Sequence, residues 1–264
     1  MIDEVVIFDV WSSFAYFRKS ATTTTALTFP FIPRSAVEGL IGAILGLEIE
    51  ETPDRLGCAK IAVEIRNPVR KIPFGLTYTD TKEVWPRIGT WLRTSKSSPG
   101  RTRRRVEFRT PVKIELLQDP CYRICFAHEE LAGELDEKLR KHETVFTPYL
   151  GTSSMIANFK HIDSCRFETL KANGPISVSS MIPFEARGLI PKMKLNKEAI
   201  FAVEQNIPIH LSRERVLCGT YNAVYNPLGK SLTVDGMEVH KIQVSGGIKH
   251  VIFLPTRVPS RQAA

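Results

Sequence analysis

Apolar residues alternate with period two from Glu4 to Val10, with Val6, Phe8 and Val10 on one face and Val5, Ile7 and Asp9 on the other, so a strand is predicted there. The period then lengthens to that of a helix. Val37, Leu40, Ile41, Ile44 and Leu45 form a buried stripe behind a capping box of Ser35 and Glu38, and Gly46 suits a left-handed terminus, so a helix is predicted from near Ser35 to Gly46. Gly39, Gly42 and Ala43 leave part of its surface without bulk, which favours close helix-on-sheet packing. An acidic linker (Glu48, Glu50, Glu51, Asp54) leads to a second strand near Lys60 to Pro68. From about Gly75 to Thr110 the chain is polar and broken by Pro86, Gly89, Pro99 and Gly100, and it reads as a hairpin or arm projecting from the body.

Strand period returns from Val106 to Leu116, interrupted at Pro111, and Cys121 to Ala127 continues extended. Leu131, Leu135 and Leu139 mark a second helix from Glu129 to about His142, with acids early and Lys138, Arg140 and Lys141 late, as the helix dipole favours. A turn-rich loop, Pro148 to Ser154, precedes an extended segment around Asn158 to Leu170. The order is therefore that of an α+β, ferredoxin-like or RRM-like βαββαβ domain over residues 1–170, with an inserted β-hairpin thumb at about 76–112. After Lys171 short strands and turns predominate, which points to a smaller β-rich domain over 171–264.

Charge sharpens the reading of the arm. Between Arg87 and Lys113 stand nine basic residues and one acid, Glu107, a local net of +8 that equals the formal charge of the whole chain. Concentrated charge is the footprint of a polyanion-binding surface, and arginine forks suit phosphates and stacking on bases. The plain alternative is a solvated basic loop. At the end of the first strand, Trp11, Phe14, Tyr16 and Phe17 sit beside Arg18 and Lys19, as a nucleotide clamp or equally as a hydrophobic lid with two surface cations. Five scattered cysteines without a C-x-x-C motif indicate buried free thiols rather than disulfides or zinc. With no signal-peptide pattern and no apolar run of spanning length, a cytoplasmic protein is expected.

Three blocks, FRKSATTTTALTFPFIPRSAVEGLIGAILG (Phe17 to Gly46), RTPVKIELL (Arg109 to Leu117) and FTPYLGTSSMIANF (Phe146 to Phe159), together resemble the fifth Cas family of the RAMP superfamily, closest to its type I-B branch. The last hundred residues match loosely. The resemblance implies a ferredoxin-like domain with a hairpin thumb, and a subunit of Cascade, the type I CRISPR surveillance complex of antiviral defence. It also implies binding of the crRNA 5′ handle. The implied partners are crRNA, the Cascade backbone subunit and the large subunit, with target DNA as a further candidate. Carried over by position, Phe17, Arg18, Lys19 and Arg34 would face the handle, with Arg109 and Gly151 in the matching strand and glycine loop. On the arm, Arg101, Arg103, Arg104 and Arg105 are assigned to backbone phosphates on electrostatic grounds, and Trp91 is grouped with them.

Some relatives cleave precursor crRNA without metal, using tyrosine, lysine and histidine. The adjacent pairs Lys141-His142, Lys160-His161 and Lys249-His250 offer such side chains, but none lies in a block that matches a catalytic motif. Gly229-Lys230-Ser231 lacks the first glycine of a P-loop, Val224 standing in its place, and His128-Glu129 lacks the second histidine of a zincin helix, Ala132 standing there. The expectation is a non-catalytic RNA-binding subunit without metal or cofactor. A metal-independent endoribonuclease is the alternative, and an adaptor outside CRISPR a distant third.

Overall fold

A computed structural model describes residues 4–19, 25–79, 109–184 and 200–256. Most of the thumb therefore lies outside the described residues. The protein is a mixed α/β chain dominated by sheet, and its elements follow from the patterns above. Strand β1 (Glu4–Trp11) is followed by the short β2 (Phe14–Ala15), helix α1 (Arg34–Leu45), a one-turn helix α2 (Thr52–Leu56) and β3 (Lys60–Ile65). Then come β4 (Lys71–Thr79), β5 (Arg109–Gln118), β6 (Cys121–Ala127), α3 (Leu131–Lys141) and β7 (Asn158–Lys171). The acidic linker is thus partly helical, since Pro53 at its start suits a first turn whose N–H needs no partner.

The six-stranded sheet runs β14-β13-β7-β1-β6-β3, where β13 is Glu238–Val244 and β14 is Gly247–Val251. All the pairings reported within it are antiparallel. One face carries Val6, Phe8, Val10, Ile61, Val63 and Ile124, packed with the apolar stripes of α1 and α3 in a single core. The opposite face carries Val5, Ile7, Ala62, Cys125, Phe167 and Ile242 in a second core. Burial of each large aliphatic side chain is worth about 1.5–3 kcal/mol, so the two-sided alternation of β1 anchors both cores at once.

The sheet curls until its outer edges share one partner segment. Ser179 N donates to His250 O (3.0 Å) on β14, while Met181 N donates to Val63 O (2.9 Å) on β3. Leu254 N adds a bond to Ile61 O (2.7 Å), and Lys249 Nζ reaches the Glu64 carboxylate at 3.1 Å. Both edges are thereby partly covered, which reduces the number of free strand acceptors. Residues beyond 171 are woven into the same body: β13 pairs with β7 itself, and Ile207, Tyr221 and Ala223 join the core of α1. Those last residues belong to β10 (Ala202–Pro208) and β11 (Thr220–Tyr225), which with β9 (Ile182–Phe184) form a three-stranded sheet. A third cluster joins β12 (Leu232–Val234) to β8 (Ile176–Val178).

At the thumb, β4 and β5 pair in register from Lys71↔Leu117 to Thr79↔Arg109, so the hairpin rises directly from the body. Pro111 does not interrupt β5. It lies opposite Thr77, beyond the reach of β2, which pairs only with Leu117 and Gln118 on the other side. No described helix is long and apolar enough to cross a membrane. Of the five cysteines Cys125 is buried, its thiol pushed up to about 12 by burial, but Cys58 and Cys218 are exposed, against the expectation of buried thiols.

Candidate nucleic-acid interface

The three sequence blocks, of which the first ends at Gly46 and the last begins at Phe146, meet at one end of β1. Leaving β1, the chain pairs Phe14 and Ala15 with Gln118 and Leu117 of β5. Tyr16 N then donates to Leu150 O (3.1 Å) in the loop between α3 and β7. On the other strand of the first block, Ala26 N donates to Lys113 O (3.3 Å) and Glu115 N to Ala26 O (2.9 Å). A threonine stitches the crossing. Thr28 Oγ1 accepts from Phe17 N (2.9 Å), and Thr28 N donates to the Glu115 carboxylate (3.2 Å), which also pairs with Lys71 Nζ at 3.1 Å.

Gly151 is fixed by geometry. Its φ is +95°, and a Cβ there would lie 1.8 Å from Tyr16 O. Only glycine lets the loop lie at this distance against Tyr16, the residue that leads into the first block. Leu150 anchors the loop with no exposure, while its neighbours turn outward: Tyr149 is 46% and Ile156 58% exposed. Tyr149 and Ile156 form a bridge, and Phe146 N donates to Ala43 O (2.9 Å), binding the loop to the end of α1.

The side chains assigned to RNA divide. Arg18 is exposed, bridged through its backbone to Thr28. Lys19 is partly buried, bonded to Glu204 at 2.5 Å and lying 5.4 Å from the centre of the Phe29 ring. Phe17 is inside, 4% exposed and tilted against Tyr122, so the first-block aromatic predicted to face the handle is a core residue. Trp11, Phe14, Phe146 and Tyr149 are instead the exposed rings here. Tyr149 was open to detection: it follows Pro148 and precedes a residue that must point inward. The side chain of Arg109, with Trp91, Arg101, Arg103, Arg104 and Arg105, lies outside the described residues; Arg109 heads β5.

Arg34 is also corrected. It is fully buried, and its Nη2 donates to the carbonyls of Leu56 (3.4 Å), Gly57 (3.2 Å) and Ala59 (2.8 Å). Its Nε lies 3.0 Å from Glu38 Oε1, and Glu38 Oε2 is 3.0 Å from His210 Nδ1. The turn after α2 presents three carbonyls that together outcompete solvent for the guanidinium. The capping box fails for the same reason. Helix α1 begins at Arg34 behind Pro33 with no side-chain cap, because Glu38 is committed to Arg34 and His210. Burial pushes the Glu38 carboxyl up to about 8 against the pull of Arg34, and lowers Arg34 in turn. The left-handed terminus is as expected, with Gly46 at φ 82°.

At least one member of each lysine-histidine pair has a structural partner. His142 ends α3 in a left-handed conformation and stacks on Phe159 at 4.4 Å. His161 Nε2 lies 2.8 Å from Asp136 Oδ1, and Lys249 is held by Glu64. His128 Nδ1 accepts from the N–H groups of Glu130 and Leu131 (both 3.2 Å), so it serves the start of α3. Among the described residues no group of three or more His, Cys, Asp or Glu side chains could hold a metal ion.

A family model described as CRISPR-associated protein (Cas_Cas5) matches residues 5–220. The chain belongs to the Cas5 family. That match spans β1, the thumb root, the glycine loop and the first half of the C-terminal strands, so it includes every block that meets at the end of β1. No curated protein matches the sequence. Among solved structures this Cas5 chain is similar to one described as a CRISPR RNA-guided surveillance complex, with a TM-score of 0.50 at 12% identity, over 97% of this chain and 95% of that one. It is less similar to a CRISPR protein from Archaeoglobus fulgidus, with a TM-score of 0.47 at 14% identity, over 97% of this chain and all (100%) of that one. At such identities the first of these likenesses speaks for the fold.

Proposed function

We propose that this Cas5 protein is a non-catalytic RNA-binding subunit of a type I CRISPR surveillance complex, of the I-B kind, that grips the 5′ handle of crRNA and caps the complex backbone. The observation that carries this reading is the meeting of the first block, β5 and the glycine loop through backbone bonds, with Gly151 held against Tyr16. Three segments that resemble a crRNA-holding family only in sequence thus form one surface in space. The order β7-β1-β6-β3, with α1 and α3 on one face, supports a ferredoxin-like description of the central layer. The similarity to a chain of a surveillance complex supports crRNA and further subunits as partners, and the basic arm is suited to phosphates.

Arg18 contributes charge at this surface, and the exposed rings of Phe14 and Tyr149 offer stacking faces for single-stranded bases. The test is incubation of the full chain, in EDTA, with labelled repeat-spacer RNA. Retention of intact RNA that depends on the repeat-derived 5′ segment supports the proposal. Site-specific cleavage that withstands EDTA would replace it with the endoribonuclease reading.

A further inference from the structure

Beside the glycine loop lies a cavity of about 480 Å³, within the range of small-ligand pockets. Its floor is the small-residue face of α1, where Gly39 is exposed and a Cβ would meet nothing within 4 Å. One wall is the glycine loop, with Phe146, Thr147 and Tyr149; the opposite wall is Leu211, Ser212 and Arg215. A buried polar group reaches this space. Glu38 lines the cavity although its side chain is only 4% exposed, with Oε1 at 3.0 Å from Arg34 Nε and Oε2 at 3.0 Å from His210 Nδ1, so each oxygen has capacity for one further donor only. Phe146 and Tyr149, 44% and 46% exposed, leave ring surface uncovered at the mouth.

These features select among occupants. The lining is apolar with a few hydroxyls (Ser35, Thr52, Thr147, Ser212), and Glu48 stands on one rim. A phosphate would find a single cation, Arg215, in this lining and would face Glu48, whereas a neutral heteroaromatic ring is accommodated by the apolar majority of the surface. Its face can stack on an aromatic side chain and its edge can bond a carboxyl or hydroxyl group. The cavity is also continuous with the proposed RNA surface, because Gly151 both lines it and packs on Tyr16.

We propose that this cavity receives one unstacked nucleobase of the bound RNA, stacked on Tyr149 or Phe146 with its edge directed at Glu38. The inference rests on the RNA-binding reading above and adds a site to it. Only the base enters; the backbone stays outside, near Arg215.

Gly39→Met tests it, since the new side chain projects into the cavity from an open helical position and improves helix propensity rather than opposing the fold. The full chain and its variant are titrated with labelled crRNA carrying its own repeat-derived 5′ segment, in which each nucleotide in turn is made abasic. In the unmodified protein one abasic position should cost between about five- and a hundred-fold in affinity, the scale of one base–aromatic stack. Gly39→Met should lose a similar factor on intact RNA and become insensitive to that position. Tyr149→Ala should reproduce part of the loss and Tyr149→Phe should not. If the unmodified protein retains no crRNA, the RNA-binding reading falls and takes the pocket with it. If it binds but Gly39→Met binds equally, with every abasic cost unchanged, the pocket alone is refuted. Unchanged RNA affinity with failure to enter the assembled complex would assign the cavity to a protein partner and also refute it.

Discussion

Arg34 and Arg18 stand sixteen positions apart in the same block, and the structure gives them opposite work. Replacing Arg34 by Met removes the partner of Glu38 Oε1 and the donor to three carbonyls, all inside the core. Breaking a buried pair from one side costs about 3–5 kcal/mol, because the remaining charge and acceptors are left without compensation. For a chain of this size that corresponds to a fall of roughly 6–20 °C in melting temperature, at about 2–4 °C per kcal/mol. Arg18→Ala, at an exposed site, should stay within about 0.5 kcal/mol of the parent. Urea unfolding monitored by intrinsic fluorescence, with both variants at one pH and salt concentration, separates the cases through the midpoint at constant m. The double variant Arg34→Met, Glu38→Leu supplies the internal control. Replacing the pair by apolar residues removes the uncompensated carboxyl but leaves the three carbonyls without a donor, so it should recover only part of the loss. A single Arg34→Met costing under about 1 kcal/mol would refute the assignment of Arg34 to the core and return it to the RNA-facing surface.

Gly151→Ala combines a strained positive φ with a clash against Tyr16 O, and should lose about 1–3 kcal/mol or more together with crRNA retention; parental stability would mean that the loop does not lie on the first block. The Glu38 carboxyl, raised from an ordinary value near 4.5 to about 8, binds its proton more tightly in the folded chain, so its contribution to stability is full below pH 4.5 and is lost as pH rises towards 8. Glu38→Gln should therefore flatten the decline in melting temperature between pH 5 and 8.5, and an unaltered slope would show Glu38 ionised throughout. Ser35→Ala should be close to neutral, since no side-chain cap holds the start of α1, whereas a loss near 1 kcal/mol would restore the capping box. Replacing Arg101, Arg103, Arg104 and Arg105 by Ala should flatten the salt dependence of RNA binding by up to about 3 in log–log slope, at roughly 0.7 per phosphate contact; an unchanged slope would remove the arm from the interface.

What could be read in the sequence and what could not separate along one physical line. Periodicity reports which face of an element is buried, so the two faces of β1, the stripe of α1 and the end of that helix at Gly46 were all legible. The Gly151 loop was legible as a turn-rich segment and, through the resemblance of its block, as a glycine loop, but its contact with Tyr16 was not. Composition does not report which of two adjacent polar residues finds partners. Phe17, Arg18 and Lys19 look alike as a basic aromatic turn, yet pairing of Arg18 with Thr28 alternates them inward and outward, so Phe17 enters the core and Lys19 meets Glu204 from a strand 185 residues later. Arg34 was misread because its three carbonyl partners lie on a turn after α2 whose approach no local pattern encodes. The i,i+4 spacing of Arg34 and Glu38 was the one available hint, and it competed with a capping-box reading of the same glutamate. Because Glu38 is drawn inward to Arg34 and His210, Ser35 is left without its capping partner, and both residues line the cavity beside the glycine loop. The local signal that failed and the site that went unseen thus have one cause: a buried network in which the carbonyls after α2 and His210 draw Arg34 and Glu38 inward, turning the first turn of α1 from a surface feature into the wall of a pocket.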